Sequence, residues 1–300
     1  MINLSTGAFF ERATRQIGSL RERANELQDQ IGSGERLSRS SDDPVAAARL
    51  RTLARRDRLS QIDERNSDRA LIDLQLTDKA LVSMADLVIR AKELAMQAAN
   101  ETMGPEQRGL LSAEINGLRE SLRLVANSRD GAGRALFGGQ APDLAYDETG
   151  AYVGTNVAET VEIGDGQTVT RSLTGPEVLS FEQGGAPTNL IMVLGALGAA
   201  LQDPTADHLG AAQVALGGLE SGLQQITTAQ TIVGARMGWI EIIDERRVAH
   251  GELLAEERAE IGGADLATTM TRLQEIMTVL EASQASFIRV SGLSLFDKLR

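Results

Sequence analysis

The stretch FERATRQIGSLRERANELQDQI, residues 10–31, decides the fold. Phe10, Ala13, Ile17, Leu20, Ala24, Leu27 and Ile31 follow one another at alternating steps of three and four residues. In a helix that spacing places all seven on one seam, as in a coiled coil. The seam stops at Gly32-Ser33-Gly34. A single helix of this length is marginal in water even before its bare apolar stripe is counted. The stretch therefore predicts a partner helix.

The other end of the chain supplies one. Leu266, Met270, Leu273, Met277, Leu280 and Phe287 form a second stripe, and Gly262-Gly263 precede it. Moving inward, Asp43-Pro44 predicts a helix start: the carboxylate can accept free N–H groups and the proline suits the first turn. The helix is expected over residues 44–100, with Thr77, Ala80, Met84, Leu87, Ala91, Leu94 and Ala98 as its seam. Gly104-Pro105 opens a third helix striped by Leu111, Ile115, Leu118, Leu122 and Val125 and closed by Gly131, Gly133, Gly138 and Gly139. On the far side, helix is expected to resume near Thr188 with Leu190, Leu194, Leu197 and Leu201 on one face. Asp203-Pro204 repeats the cap-then-proline start for a long helix over residues 205–261. Its seam runs Ala212, Leu216, Leu219, Leu223, Ile226, Gln230, Val233, Met237, Ile240.

Between these halves the chain is rich in Gly, Thr and Val. Val157, Glu159, Val161 and Ile163 alternate with Ala158, Thr160 and Glu162; Gly164-Asp165-Gly166 follows, then Val169, Arg171 and Leu173. That is a β-hairpin pattern.

The layout is a mirror: short helix, glycine break, long helix, insertion, long helix, glycine break, short helix. The two long segments would each extend roughly 85 Å at about 1.5 Å per residue, which suits antiparallel packing. The expected fold class is mainly α: an elongated antiparallel coiled-coil or helical-bundle rod with paired N- and C-terminal helices and a small central β-rich insertion. The expected segments are an N-terminal assembly helix (1–42), the first half of the helical rod (43–140), the β-rich outer insertion (141–187), the second half of the rod (188–263) and a C-terminal assembly helix (264–300). Gly32, Gly34, Gly262 and Gly263 are candidate hinges. The apolar residues of the two terminal stripes are the candidate assembly interface.

Composition narrows the function. The net charge of -12 opposes binding to phosphate backbones and to anionic membranes. Cysteine is absent, which removes disulfides, thiolate metal sites and thiol catalysis. Only 3% of residues are aromatic, too few for wide stacking pockets. Residues 1–10 have no basic start and no apolar core of a signal peptide, and no apolar run is long enough to span a bilayer. Arg49, Arg51, Arg55, Arg56 and Arg58 resemble the basic region of a DNA-binding zipper, but Asp57, Asp63 and Glu64 interrupt them, so a solvated or inter-subunit salt-bridging face is the better reading. His208 and His250 stand far apart with no ligand-spaced partner, so no metal is expected. The glycines at 131–139 follow a helix rather than a strand and lack Gly-Lys-Ser/Thr, so they are a turn rather than a phosphate cradle. Asp42-Asp43 has no accompanying base or nucleophile, and capping explains it. No catalytic set and no cofactor site are expected.

Ser40-Ser41-Asp42-Asp43-Pro44-Val45-Ala46-Ala47-Ala48, Leu94-Ala95-Met96-Gln97-Ala98-Ala99-Asn100, Asn127-Ser128-Arg129-Asp130-Gly131 through Phe137-Gly138-Gly139, and Leu280-Glu281-Ala282-Ser283-Gln284-Ala285-Ser286-Phe287 with Ser291-Gly292-Leu293-Ser294-Leu295-Phe296 can be read together. They resemble the bacterial flagellin family over residues 1–140 and 205–300. Pro44 with its alanine run and the Phe-Gly-Gly ending are more similar to the family's hook–filament junction branch than to filament subunits; the central segment has no specific match. The resemblance implies a non-enzymatic structural subunit, secreted unfolded through the flagellar export channel into the extracellular flagellum. It implies assembly with copies of itself, with the first hook-associated protein and with flagellin. A flagellar export chaperone at the C-terminal region is implied too, and neither nucleic acid nor membrane. The alternatives are a filament flagellin and, in another class, a cytosolic coiled-coil scaffold.

Overall fold

The structure, a computed structural model, describes residues 3–101, 103–141 and 143–296. Residues 1–2 and 297–300, the outer ends of the two expected terminal segments, lie outside the described residues. Elements follow in the order α1 (Asn3–Ser33), α2 (Pro44–Ala98), α3 (Pro105–Ala126), β1 (Thr160–Gly164), β2 (Gln167–Thr170), α4 (Gly175–Leu179), β3 (Ser180–Gln183), β4 (Ala186–Asn189), α5 (Leu190–Gln202), α6 (His208–Gly262) and α7 (Leu266–Phe296). The fold is mainly α, with paired terminal helices and a small β-rich insertion. Two compact units divide the chain: residues 1–59 with 249–300, and residues 60–248. Both α2 and α6 are 55 residues long and contribute to each unit.

In the unit of residues 60–248, α2 and α6 run antiparallel. Arg247 Nη2 donates to Ser67 Oγ at 2.8 Å, and Lys92 lies 3.7 Å from Glu220. Ala212, Leu219, Ile226, Val233 and Ile240, seven residues apart, are all buried, as the seam of α6 requires. On α2 the expected seam is buried at Thr77, Ala80, Met84, Ala91, Leu94 and Ala98. A second stripe beside it, Leu74, Leu81, Val88 and Ala95, is buried as well. Burial of two adjacent stripes means that α2 is covered on a wide face rather than along a coiled-coil seam alone. The helix α3 packs on α5, where Ser112 Oγ donates to Gly198 O at 2.7 Å.

The hairpin forms as β1–β2, with Val161 opposite Val169 and a register shift at Ile163. Asp165 (φ 50) and Gly166 (φ 70) make its turn in the left-handed pair that two-residue hairpins favour. Ile163 and Val169 are buried. Arg171 anchors the hairpin: its guanidinium lies 3.0 Å from Asp73 of α2 and also pairs with Glu159. Arg134 joins Asp130 at 3.0 Å to Glu159 at 2.9 Å. Burial, and next the charge of Asp130, hold the Asp73 carboxyl above the usual aspartate range.

Three expectations need correction. A second hairpin, β3–β4, turns at Gly184-Gly185 (φ 62 and 82), so strand occupies residues 186–189. Helix resumes at Leu190 rather than near Thr188, with Asn189 Oδ1 accepting from Met192 N at 3.0 Å. Asp203-Pro204 does not start the long helix. The Asp203 carboxylate instead accepts from Thr205 N and Oγ1, closing a turn, and Asp207 caps α6 by accepting from Gly210 N at 2.9 Å. Gly139 sits at φ 65 with the Val157 carbonyl 2.9 Å from where a Cβ would lie, so this position admits only glycine.

Candidate assembly interface

The unit of residues 1–59 and 249–300 holds every candidate assembly residue. Its centre is the pair α1–α7. Two anchors fix its direction. Phe10 and Phe287 meet edge to face, ring centroids 5.5 Å apart at 89°, and Glu35 bridges Gly263 in antiparallel fashion. The helices therefore run antiparallel and in step between these points.

The N-terminal stripe is covered as its spacing requires. Ala24 is buried, and Phe10, Ala13, Ile17, Leu20, Leu27 and Ile31 are half-buried. The C-terminal stripe divides. Leu280 is buried and so is Thr269, while Leu273 and Phe287 are half-buried together with Ile276 and Ser283; the seam had not included Thr269, Ile276 or Ser283. Leu266, Met270 and Met277 are exposed, and so is Ile288. At about 100° per residue these last four share one narrow face, adjacent to the face that α1 covers. The α7 apolar surface is thus wider than a single partner can bury, and the three-four spacing straddles both faces.

The glycine breaks are cross-linked rather than loose. Gly34 terminates α1 at φ 71, its N–H reaching Gln30 O at 2.9 Å. Arg36 N then donates to Gly262 O at 2.7 Å, and Ala264 N to Gly34 O at 2.9 Å. Gly32 is helical with open space around it, Gly262 is the last residue of α6, and Gly263 has no room for a Cβ against the Ala259 carbonyl.

Arg36 ties three helix ends together. Its guanidinium donates to Ile261 O, the C-terminal turn of α6, at 3.0 Å through Nη2, and lies 3.3 Å from Asp43. Gln30 Nε2 of α1 donates to the Arg36 carbonyl at 3.0 Å. A cation suits the free carbonyls and negative dipole end of a helix C-terminus. Asp43 is the expected cap of α2: its Oδ1 accepts from Ala46 N at 3.0 Å. That bond, then Arg36, hold its carboxyl below the usual aspartate range. Asp42 closes the preceding loop by accepting from Arg39 N at 2.8 Å and from Ser38 Oγ at 3.2 Å. Asp265 caps α7, accepting from the Thr268 hydroxyl at 2.7 Å and its N–H at 3.2 Å, and these bonds lower its carboxyl too. Beside the glycine bridge lies a groove of about 550 Å³ lined by Leu37, Leu50, Ala54, Ala255, Ala259, Glu35, Arg51 and Arg258 with the surrounding glycines. Among the described residues no group of His, Asp and Glu is placed to hold a metal ion. No helix there is long and apolar enough to cross a membrane.

Residues 4–141 match the bacterial flagellin N-terminal helical region. Flagellar hook-associated protein 3 of Escherichia coli strain K12 is 26% identical and aligns over 99% of both chains. Flagellin E of Vibrio cholerae is 25% identical over 58% of this chain and 42% of its own. The fold is shared with a solved flagellar hook-associated protein from Vibrio parahaemolyticus, described there as putative (TM-score 0.68, 22% identity, 74% of this chain and 100% of that one). With its capped Asp-Asp-Pro entry into α2 and its paired, glycine-delimited terminal helices, the chain matches the bacterial flagellin N-terminal helical region over residues 4–141 and is similar along its whole length to flagellar hook-associated protein 3.

Proposed function

We propose that this chain is a structural subunit of the extracellular bacterial flagellum and acts as a mechanical adaptor at the hook–filament junction. The observation that carries this reading is the end-to-end likeness to a hook-associated protein, against likeness to a flagellin over little more than half the chain. The work done is helix packing, with no bond making or breaking. Its neighbours are further copies of itself, the first hook-associated protein on one side and the first layer of flagellin on the other. A flagellar export chaperone holds the C-terminal region before secretion. The wide apolar surface of α7 supports this reading: α1 covers one face, and Leu266, Met270, Met277 and Ile288 remain for a neighbouring subunit.

A deletion strain tests the assignment. Loss of the gene leaves hooks without filaments and flagellin shed into the medium, and the intact chain supplied from a plasmid restores filaments. Normal filaments in the deletion strain would instead identify one filament subunit among several, or a protein outside the flagellum.

A further inference from the structure

The arginine run in the first turns of α2 is left unexplained by the fold. Residues 44–59 carry five arginines and one aspartate in a chain whose net charge is -12. Residues 249–262 at the end of α6 carry four glutamates and one arginine. The two segments belong to the same unit, and one ion pair, Arg49 to Glu257 at 2.5 Å, joins them among the described residues. Arg51, Arg55 and Arg58 share one exposed face of α2, while Glu252, Glu256 and Glu260 share one exposed face of α6. None of these six takes part in an ion pair within the described chain. Each stripe has exposed apolar neighbours, Leu59 on α2 and Leu253 on α6.

From this charge complementarity we infer that the arginine stripe of one copy docks on the glutamate stripe of the next, a contact that rests on the assembly role proposed above. The lengths match: each stripe covers two turns, about 11 Å at about 1.5 Å per residue. α2 and α6 run antiparallel within the chain, and copies related by rotation about an axis along these helices keep that opposition across the contact. Arg51 can then face Glu260, Arg55 face Glu256 and Arg58 face Glu252, with Leu59 and Leu253 giving the contact an apolar edge. Since the two surfaces differ, the contact is heterologous. Repeated, it closes a ring or extends a helix rather than making a two-fold dimer. Like charges brought together at such a contact repel strongly, so the stripes also reject a wrong register.

The experiment uses the intact chain in the deletion strain. Arg51→Glu/Arg55→Glu/Arg58→Glu bears glutamates on both stripes, and Glu252→Arg/Glu256→Arg/Glu260→Arg bears arginines on both. Each alone is expected to be secreted and to melt as the parent does, while filaments per cell fall at least about tenfold. Co-expression of the two, and separately the six-fold exchange in one chain, are expected to restore filaments, because each re-creates opposite charges across the contact. Parent-level filaments from either triple variant would show the stripes to be merely solvated. Co-expression and exchange both failing, with folded and secreted protein, would overturn the pairing as well. Failure of the parent chain itself to complement would strike the junction reading and not the stripes, so the two outcomes are separable.

Discussion

Phe10 and Phe287, from opposite ends of the chain, meet edge to face with ring centroids 5.5 Å apart. An edge-to-face aromatic pair contributes about 0.5–1.5 kcal/mol beyond its buried area. Phe10→Ala and Phe287→Ala should each raise hydrogen exchange along both α1 and α7. The double variant should lose less than the two singles together, because either substitution already removes the pair. Additive losses would mean that each ring acts independently.

Depth of burial separates the two units. Leu219 is fully buried in the α6 seam, and Leu219→Asp places a carboxylate in a dry core at a cost of several kcal/mol. The unit of residues 60–248 should lose its cooperative melt. Leu20 and Leu273 are half-buried, so Leu20→Asp and Leu273→Asp should loosen α1–α7 in hydrogen exchange, leave the main melt within a few degrees of the parent and abolish filaments. Filaments at parental levels would remove the terminal seam from the assembly surface.

Arg171 and Asp73 test the anchor of the hairpin. Both side chains are largely buried and 3.0 Å apart. Arg171→Met strands the carboxylate and should cost about 3–5 kcal/mol, whereas replacing the pair with Arg171→Met and Asp73→Leu should recover most of the loss. Denaturant melts of the three variants decide it; a double variant as unstable as the single would place the value of Arg171 in its bond to Glu159.

Acid should release the helix caps in the unit of residues 1–59 and 249–300. Bonds to the charged forms of Asp43 and Asp265 depress both carboxyls. Their contribution to stability is therefore complete above the ordinary aspartate value near about 4, and it is lost as pH falls through the depressed values of the folded state. Helix content of α2 and α7 at their first turns should drop over that acidic window. Asp43→Asn with Asp265→Asn should flatten the dependence, which NMR chemical shifts of Ala46 and Thr268 would follow directly.

What could be read in advance follows from how locally each feature is encoded. The α6 seam and the Asp43 cap depend on residues within a turn of one another, and both stand where their spacing put them. The Leu74–Ala95 stripe of α2 is spaced as regularly, but a second stripe has meaning only when a second partner covers it. Ser180–Gln183 and Ala186–Asn189 show no alternation, and Pro187 removes a strand donor, so β3–β4 is held by its glycine turn and by packing. Asp203-Pro204 had the same letters as Asp43-Pro44. Thr205 claims its carboxylate, and a capping residue four positions later takes the helix. At the termini, the three-four rule located the apolar surface of α7 but could not divide it between a neighbour in the same chain and one outside it.

The Glu35–Gly263 bridge has a consequence for tension. It joins the two strands entering and leaving the terminal pair through two backbone hydrogen bonds. A pull along α1 is therefore shared with the strand that leads into α7, and both covalent paths stretch together. The helix pair itself is then strained in shear along its whole length, where many side-chain contacts must give way at once, instead of being peeled open from one end a contact at a time.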